Sequence, residues 1–353
     1  MPLRQYLAGL LLLAAGCRRS PAPSDAPEAA PLPAPGPAPP AALGPLRIGY
    51  SDWPGWVAWQ VAIEQGFFER LGVDVRFTWL EYVPSIEAFS EGQVDAVCMT
   101  NGDALVAGSS GAPSVGVVIN DYSNGNDMVV ARPGITRLAE LRGKRIGVEI
   151  GFVDHLLLME ALTSAQLRES DVSIVNAKTH ETPELLAAGG VDAIAAWQPH
   201  SGRALELVKD SRAVFTSADV PGLIYDMLFV ARGSLEARRD DWIKVVKAWF
   251  MVVDFVADPS HEGEALAIMA RRVRLPAPSY AKLMSGTRLL GGEENRRRFH
   301  ATAGLDSVAG SSETVDRFNL RNHVYRDTVA VGPYFDSSLV EEALAQPGVR
   351  APR

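Results

Sequence analysis

The chain has 353 residues, of which 47% are hydrophobic, but no run of 18 apolar residues occurs, which argues against a transmembrane helix. The formal net charge of −8 argues against a nucleic-acid-binding surface. The only cysteines are Cys17 and Cys98. If Cys17 is modified no internal disulfide can form, and Cys98, within the apolar run DAVCM, is expected to be a buried, inert thiol.

Residues 1–17 read MPLRQYLAGLLLLAAGC, with one arginine before a short apolar run and small residues before Cys17. This pattern predicts a secretory signal. The ending LAAGC resembles a bacterial lipobox with Cys17 as the lipidated residue, although Leu13 stands one place further from the cysteine than is most common. An ordinary cleavable signal with an incidental cysteine is the alternative.

Residues 18–45 are almost all proline, alanine and glycine. Such a segment cannot bury a core, so we expect an extended, semi-rigid tether. Signal, cysteine and tether together predict a protein held to a membrane of the periplasm or cell envelope by a lipid anchor. About 300 residues remain after the tether, enough for two lobes of ordinary domain size.

The body of the chain contains a weak internal duplication. LRIGY (46–50) opens the first unit and KRIGV (144–148) opens the second, while EGQVDAVCMT (91–100) and AGGVDAIAAW (188–197) close them. Strand-like runs alternate with helix-like ones in each unit, which predicts an α/β fold built of βαβ units with parallel strands. Ligands of such sheets bind beyond the carboxyl ends of the strands.

Two further segments are near copies of each other, NDMVVARPG (126–134) and YDMLFVARGS (225–234). They flank the second unit, so the chain is predicted to leave lobe 1 at about residue 125 and to return at about residue 226. Lobe 1 then comprises 46–125 and 226–345, and lobe 2 comprises 126–225. Two crossing segments between two lobes make a hinge with a cleft beside it.

The resemblance to a known family rests on four segments: AWQVAIEQGFFERLGVDV (58–75), FSEGQVDAVCMTNGDAL (89–105), LRGKRIGVEIGFVDHLLL (141–158) and GGVDAIAAWQPH (189–200). With them, the chain resembles the nitrate/sulfonate/taurine group of periplasmic solute-binding proteins of ABC importers. The resemblance implies a type II periplasmic-binding-protein fold, a monomer, and capture of a small solute for a permease driven by a separate ATPase. DWPGWVAWQ, TNGDAL, NDYSNGND and VEIGFVDH resemble the subgroup found beside urea or guanidine carboxylase systems.

An enzyme on the same fold is the alternative from another class. Pyrimidine-precursor synthases of this architecture use a cysteine-rich, histidine-bearing loop, which has no counterpart in this sequence. His155, His180 and His200 fall on three segments without the short spacing of zinc ligands. No phosphate-binding loop, nucleophile elbow or HExxH motif occurs. We therefore expect a binding protein without cofactor or metal.

The charge of the ligand is predicted from the loops expected at the cleft. Their acids are Asp52, Asp103, Asp121, Asp127, Glu149, Asp154 and Asp226, whereas the nearest basic residues, Arg132 and Arg203, stand several positions away. Several carboxylates in a closing cleft repel an anion, so a cation or a donor-rich neutral amide is favoured. Asp52 and Asp154 could instead cap helices, and Asp103 could hold its own turn.

Aromatic and amide side chains complete the predicted site. We expect Trp53, Trp56 and Phe152 to face the cleft with Asn101, and Trp197 with Gln198 to face it from the other lobe, whereas Trp59 should lie in the core. Tyr122 is a further candidate, and for both Phe152 and Tyr122 simple packing of the loop is the alternative. A planar guanidinium ion stacks on such rings and donates to carboxylates. The leading hypothesis is thus a receptor for guanidine or a urea-like solute; nitrate, taurine or another sulfonate, held by backbone amides at helix N-termini, is the alternative.

Overall fold

The computed structural model of the protein describes residues 44–346. The predicted signal with Cys17, and the predicted tether up to residue 43, lie outside the described residues. The strands, in chain order, are β1 (Leu46–Tyr50), β2 (Val75–Trp79), β3 (Ala96–Thr100), β4 (Ser114–Ser123), β5 (Met128–Ala131), β6 (Arg145–Val148), β7 (Ser173–Asn176), β8 (Ala193–Ala196), β9 (Arg212–Thr216), β10 (Tyr225–Ala231) and β11 (Thr287–Leu289).

The strands form two sheets with the same arrangement. The first sheet has the order β11-β4-β10-β3-β1-β2, and the second, read in the matching direction, has β9-β5-β8-β6-β7. In both, the first strand of the unit lies between two parallel neighbours, with Ile48 opposite Ala96 in the first sheet and Ile146 opposite Ala193 in the second. The duplication read from the sequence is therefore a duplication of sheet topology.

The near-copied segments become β5 and β10, and each pairs antiparallel with its neighbours. Both sheets are consequently mixed, whereas the βαβ pattern alone predicted parallel strands. The first sheet draws its strands from residues 46–123 and 225–289, and the second from residues 128–216. The lobe boundaries drawn from the sequence stay a prediction.

Helices cover both sheets. They are α1 (Pro54–Val57), α2 (Trp59–Glu64), α3 (Phe67–Leu71), α4 (Tyr82–Ser90), α5 (Asn101–Ser109), α6 (Val153–Ser164), α7 (Thr182–Ala187), α8 (His200–Leu207), α9 (Arg232–Ala237), α10 (Arg239–Ala257), α11 (Glu262–Arg272), α12 (Ala277–Met284), α13 (Gly292–His300), α14 (Val308–Arg321) and α15 (Ser338–Ala345). None of the helices within residues 44–346 has the length and hydrophobicity to cross a membrane.

Large aromatic side chains fix the core beneath the first sheet. Trp59 is fully buried and its ring centroid lies 4.8 Å from that of Trp249 on α10, as the helical spacing of Trp59 predicted. Cys98 is also fully buried, on β3, and burial raises the pKa of its thiol well above the usual value. The core therefore holds α1 and α2, and with them the loop after β1, in a defined position.

Candidate functional site

A small cavity lies between the two sheets, at the edge where β1, β3 and β8 end. It is lined by Trp53, Trp56, Tyr82, Thr100, Asp127, Val153, Trp197, Ile224 and Asp226, and we call it the inner chamber. The volume open to water-sized molecules is about 10 Å³, roughly the room that one water molecule needs. β5 and β10 run antiparallel to their neighbours, so the start of each strand, with Asp127 and Asp226, reaches the same edge.

Aromatic rings form the walls of the inner chamber. Trp56 and Tyr82 stack, with ring centroids 5.2 Å apart and planes inclined by 25°. Trp197, which follows β8 of the second sheet, meets Tyr82 edge to face at 5.1 Å. The indole nitrogens of Trp56 and Trp197 are buried and have no hydrogen-bond partner within the described chain. The predicted placement of Trp53, Trp56 and Trp197 at one cavity agrees with this geometry.

Two buried carboxyl groups face the same cavity. Asp127 and Asp226 are each 2% exposed, and Oδ2 of each receives no donor from the described residues. Burial raises the pKa of Asp127 to about 7, although a hydrogen bond from Ser123 opposes the rise. Burial raises the pKa of Asp226 well above its usual value, and the neighbouring charge of Asp121 raises it further. Both groups are positioned to accept hydrogen bonds from a ligand.

Asp121 and Asp226 form a carboxyl pair beside the chamber. They lie opposite each other on β4 and β10, and two buried carboxyl groups in such contact titrate as a pair. Burial raises the pKa of Asp121 to about 8 despite the hydrogen bond from Trp53 Nε1, 2.9 Å from Asp121 Oδ1. A Cβ on Gly55 would stand 1.8 Å from Asp121 Oδ2, so only glycine leaves room for this carboxyl group.

The remaining buried acids have partners of their own. The Tyr82 hydroxyl donates to Asp103 Oδ2 at 2.6 Å, and burial raises the pKa of Asp103 to about 6. The Thr179 hydroxyl lies 2.7 Å from Asp154 Oδ2 and 3.0 Å from Glu149 Oε2. Burial, with the charge of Asp127 next in weight, raises the pKa of Asp154 well above its usual value. These acids surround the inner chamber without lining it.

The alternative roles proposed for three acids as local caps are wrong. The N-cap of α1 is Trp53 and that of α6 is Phe152, and neither helix has a side-chain cap. The turn at α5 is held by Thr100, whose hydroxyl accepts from the backbone N–H of Asp103. Asp52 instead pairs with His200, at 3.1 Å, and so joins the loop after β1 to the start of α8.

Three predicted contacts lie outside the inner chamber. The amide of Asn101 donates to the hydroxyls of Ser311 and Ser312 and accepts from the backbone N–H of Tyr225, so its hydrogen bonds are used internally. Gln198 accepts from the backbone N–H of Gly202 in α8. Phe152 packs against the hydrophobic core. None of these three side chains lines the inner chamber, and Asn101 and Phe152 line a neighbouring small cavity instead; contact with the ligand stays a prediction for all three.

Tyr122 also belongs to the packing rather than to the chamber. Its ring meets that of Tyr225 at 6.1 Å, and the Arg298 guanidinium lies 5.3 Å from its centroid. Tyr82, by contrast, was missed by the sequence analysis. It begins α4, directly after β2 ends, so the rule that ligands bind beyond the carboxyl ends of strands could have found it.

An outer chamber adjoins the inner one and has a volume of about 160 Å³. Its lining residues are Glu81, Tyr82, Val83, Pro84, Glu87, Glu149, Lys178, Thr179, His180, Trp197 and His200. Lys178 follows β7 and is a basic residue that the sequence analysis did not count among the cleft loops. Between residues 44 and 346, neither lysine nor arginine lines the inner chamber. The absence of basic side chains therefore holds for the inner chamber only.

The three histidines considered as metal ligands do not form one cluster. His180 and His200 line the outer chamber, with ring centroids 6.5 Å apart, whereas His155 packs against Phe318. Within the described part of the chain, no group of three or more His, Cys, Asp or Glu side chains has the arrangement of a metal site.

Comparisons with known proteins agree with this architecture. The model of the family described as NMT1/THI5 like matches residues 53–256. The chain belongs to this family. A protein of Brucella abortus (strain 2308), named as a binding protein, is 29% identical over 203 residues, which cover 57% of this chain. The chain spans about 63% of the length of that relative.

Solved structures share the fold. The periplasmic aliphatic sulphonate binding protein SsuA from Escherichia coli superposes with a TM-score of 0.68 at 20% identity, covering 83% of this chain and 92% of SsuA. The desulfurization enzyme DSZB has a TM-score of 0.62 at 16% identity and covers 84% of this chain and 98% of its own. The fold is thus that of type II periplasmic binding proteins, and it also carries an enzyme.

Proposed function

We propose that this protein is the solute-binding component of an ABC importer and captures a small nitrogen-rich solute, cationic or neutral, such as guanidine or a urea-like compound. The duplicated sheets with a cavity between them support a receptor that opens to admit its ligand and closes on it. The inner chamber, at about 10 Å³, holds about one water molecule, so guanidinium enters only when the two sides of the cleft move apart. The names of two relatives, a binding protein and a periplasmic aliphatic sulphonate binding protein, support a solute-binding role in the periplasm. Of the ligand classes, those names favour sulfonates, so the choice of ligand depends on the cavity.

The main support for the proposed ligand is that carboxyl oxygens without a hydrogen-bond partner and aromatic side chains occur at the same cavity. Asp127 and Asp226 line a chamber whose rings come from Trp53, Trp56 and Trp197, and Oδ2 of each carboxyl group has no hydrogen-bond partner within the described chain. A guanidinium ion is planar, so it stacks on such rings for about 0.5–2 kcal/mol each. Its N–H groups donate to carboxylates in pairs. Urea has the same planar shape and four N–H donors.

The raised pKa values refine the argument from charge. In the empty chamber the Asp121 and Asp226 carboxyl groups stay protonated near neutral pH, and Asp127 is about half ionised at pH 7. Neutral carboxyl groups repel an anion less than carboxylates do, and they can donate to sulfonate oxygens. A sulfonate or nitrate ligand therefore remains the second candidate, supported by the relative named for sulfonate binding.

A thermal-shift panel tests the proposal. Guanidinium and urea are compared with taurine and nitrate at millimolar concentration and matched ionic strength. A ligand present at 100 times its Kd stabilises the folded protein by about 2.7 kcal/mol, which raises the melting temperature by a few degrees. A rise with guanidinium or urea alone supports the proposed ligand. A rise with taurine or nitrate alone selects the second candidate.

Enzymatic activity is tested with the same solutes. The DSZB likeness shows that this fold can carry an enzyme, so binding alone does not distinguish a receptor from a catalyst. Prolonged incubation of the protein with its best ligand, followed by mass spectrometry, is expected to return the ligand unchanged. Recovery of a product at catalytic turnover would replace the receptor with an enzyme.

The proposed partners are a membrane permease and its ATPase subunit, and the proposed attachment is a lipid on Cys17. In a cell that expresses the full chain, Cys17→Ser is expected to move the protein from the membrane fraction to the soluble periplasmic fraction. A chain that stays in the membrane fraction after this change is anchored in another way.

A further inference from the structure

The inner and outer chambers share only two lining residues among those that the structure describes, Tyr82 and Trp197. Tyr82 begins α4 after a strand of the first sheet, and Trp197 follows a strand of the second sheet. Their rings meet edge to face with centroids 5.1 Å apart and planes inclined by 80°. The two side chains, one from each side of the cleft, are thus the partition between the chambers.

The partition is firmly held on the Tyr82 side. The Tyr82 hydroxyl donates to Asp103 Oδ2 at 2.6 Å and accepts from the backbone N–H of Thr100 at 3.1 Å. The face of its ring stacks on Trp56, and the side chain is 4% exposed. Because the Tyr82 hydroxyl both donates and accepts a hydrogen bond, and one face of the ring is covered by Trp56, the ring cannot turn aside without breaking buried hydrogen bonds.

Trp197 is held by packing alone. Its ring contacts Tyr82 and, with centroids 6.1 Å apart, His200, while its indole nitrogen has no partner within the described chain. His200 is in turn paired with Asp52 at 3.1 Å. Contacts from Asp52 through His200 to Trp197 join the loop after β1 to the start of α8. The position of the Trp197 ring therefore depends on how the two sides of the cleft meet.

The two chambers differ in size and exposure. The inner chamber has about 10 Å³ open to water-sized molecules, the outer one about 160 Å³. The outer chamber is bordered by exposed side chains, since those of Glu81 and His180 are 60% and 44% exposed. A substituent projecting from a ligand in the inner chamber would have to pass through the Tyr82–Trp197 contact to reach this space.

From this geometry we propose that Tyr82 and Trp197 act as a size filter, which restricts the site to the unsubstituted guanidinium or urea core and excludes N-alkyl derivatives. This inference rests on the proposed function, because it names which members of that solute class are accepted. A chain of several methylenes on one nitrogen prevents the two rings from meeting. The excluded group has space in the outer chamber as soon as one ring is removed.

The test measures the Kd of guanidinium and of n-butylguanidinium by calorimetry for the wild type and for Trp197→Ala. Wild type is expected to prefer guanidinium strongly. Trp197→Ala is expected to reduce that preference by about 10-fold or more, the scale on which hydrophobic sites discriminate by methylene groups. The matched control is Trp79→Ala, which removes a tryptophan on β2 that lines neither chamber, and it is expected to keep the wild-type ratio.

Trp197→Leu is a second variant that removes the indole ring from the partition but loses less packing, and it is used if the alanine variant does not fold. If both folded variants keep the wild-type preference, the size filter is wrong. If the wild type binds n-butylguanidinium as tightly as guanidinium, the filter is also wrong, although the proposed function stands. If the wild type binds neither cation, urea and n-butylurea take their place in the same test. If urea is not bound either, the proposed function itself has failed, and the two failures are thereby distinguished.

Discussion

Asp127 and Asp226 are the second residues of two similar segments, NDMVVA and YDMLFVA. Both line the inner chamber, but their surroundings differ. Asp127 precedes β5, and the backbone N–H groups nearby are bonded to Ser123 and Ser217. Asp226 lies on β10 between Thr100 and Asp121 of the neighbouring strands. The repeat thus fixes where each carboxyl group stands, whereas residues from other strands determine its charge.

The difference predicts separate roles. Asp127 has a hydroxyl neighbour and a pKa of about 7, so it ionises by itself near neutral pH. Asp226 and Asp121 titrate as a pair with raised pKa values, so this pair carries at most one negative charge in the neutral range. If the ligand is a cation, Asp127 supplies an independent charge, and the carboxyl pair supplies one between its two members.

The largest expected effect follows the loss of the independent charge. Asp127→Asn is expected to weaken guanidinium binding by about 100-fold, because one charge-assisted hydrogen bond contributes about 1.5–3 kcal/mol. Calorimetry measures the Kd. Asp316→Asn is the matched control: this buried aspartate on α14 accepts from Tyr325 and Thr328 outside both chambers. An Asp127→Asn protein that binds within about threefold of the wild type would remove Asp127 from the site.

The next effect is the pH dependence of binding. A cation binds the ionised form of Asp127, whose pKa in the empty protein is about 7. Affinity should therefore rise about tenfold per pH unit below pH 7, where Asp127 releases one proton, and less steeply above it, where the Asp121–Asp226 pair can still release a second. Calorimetry between pH 5.5 and 7.5, in buffers with different ionisation enthalpies, counts that proton. Asp127→Asn should flatten the profile, whereas affinity that falls with rising pH would indicate an anion.

Much of the frame could be predicted from the sequence, because repeats and strand patterns are local signals. The matching openings LRIGY and KRIGV gave the two equivalent strands β1 and β6, and the copied segments gave β5 and β10. The rule that ligands bind beyond strand ends then located Trp53, Trp56 and Trp197 at one cavity. The antiparallel pairing of β5 and β10 was missed, since direction within a sheet depends on distant partners.

The individual roles of polar side chains were less predictable. Asn101 looked like a ligand contact, but Ser311 and Ser312, over two hundred positions away, accept hydrogen bonds from its amide. Asp52 looked like a helix cap, but His200 is its partner. In each case the deciding neighbour comes from a distant segment. Lys178 was also missed, because its loop follows β7, and only the loops after the opening and closing strands of each unit were expected at the cleft.

A smaller effect is expected from Asp226→Asn. Asp226 lowers the pKa of Asp121 by a hydrogen bond, and the amide N–H of an asparagine can still donate that bond, so Asp121 can carry the single charge. Guanidinium affinity at pH 7 is expected to fall by about 3- to 10-fold, clearly less than in Asp127→Asn. If calorimetry finds the two losses equal, the pair does not act as a unit and the contrast between the two copies disappears.

The same substitution should change stability in the empty protein. The folded-state pKa values of Asp121, Asp127 and Asp226 are raised, so the folded protein holds protons that the unfolded chain loses above about pH 4. Stability should then decline as pH rises from about 4 towards 8. Asp226→Asn should make this decline shallower in urea-unfolding series, and a decline as steep as that of the wild type would contradict the raised pKa of Asp226.

The smallest effect is expected at Glu149, which the sequence placed among the ligand contacts. Its Oε2 accepts from the backbone N–H of Thr179 at 3.1 Å, and the side chain borders the outer chamber rather than the inner one. Glu149→Gln keeps an acceptor for that N–H, so guanidinium affinity should change by less than about threefold. Glu87→Gln, another outer-chamber acid, measures the effect of charge alone. A loss of tenfold or more in Glu149→Gln, with Glu87→Gln unchanged, would extend the ligand into the outer chamber and would count against the partition formed by Tyr82 and Trp197.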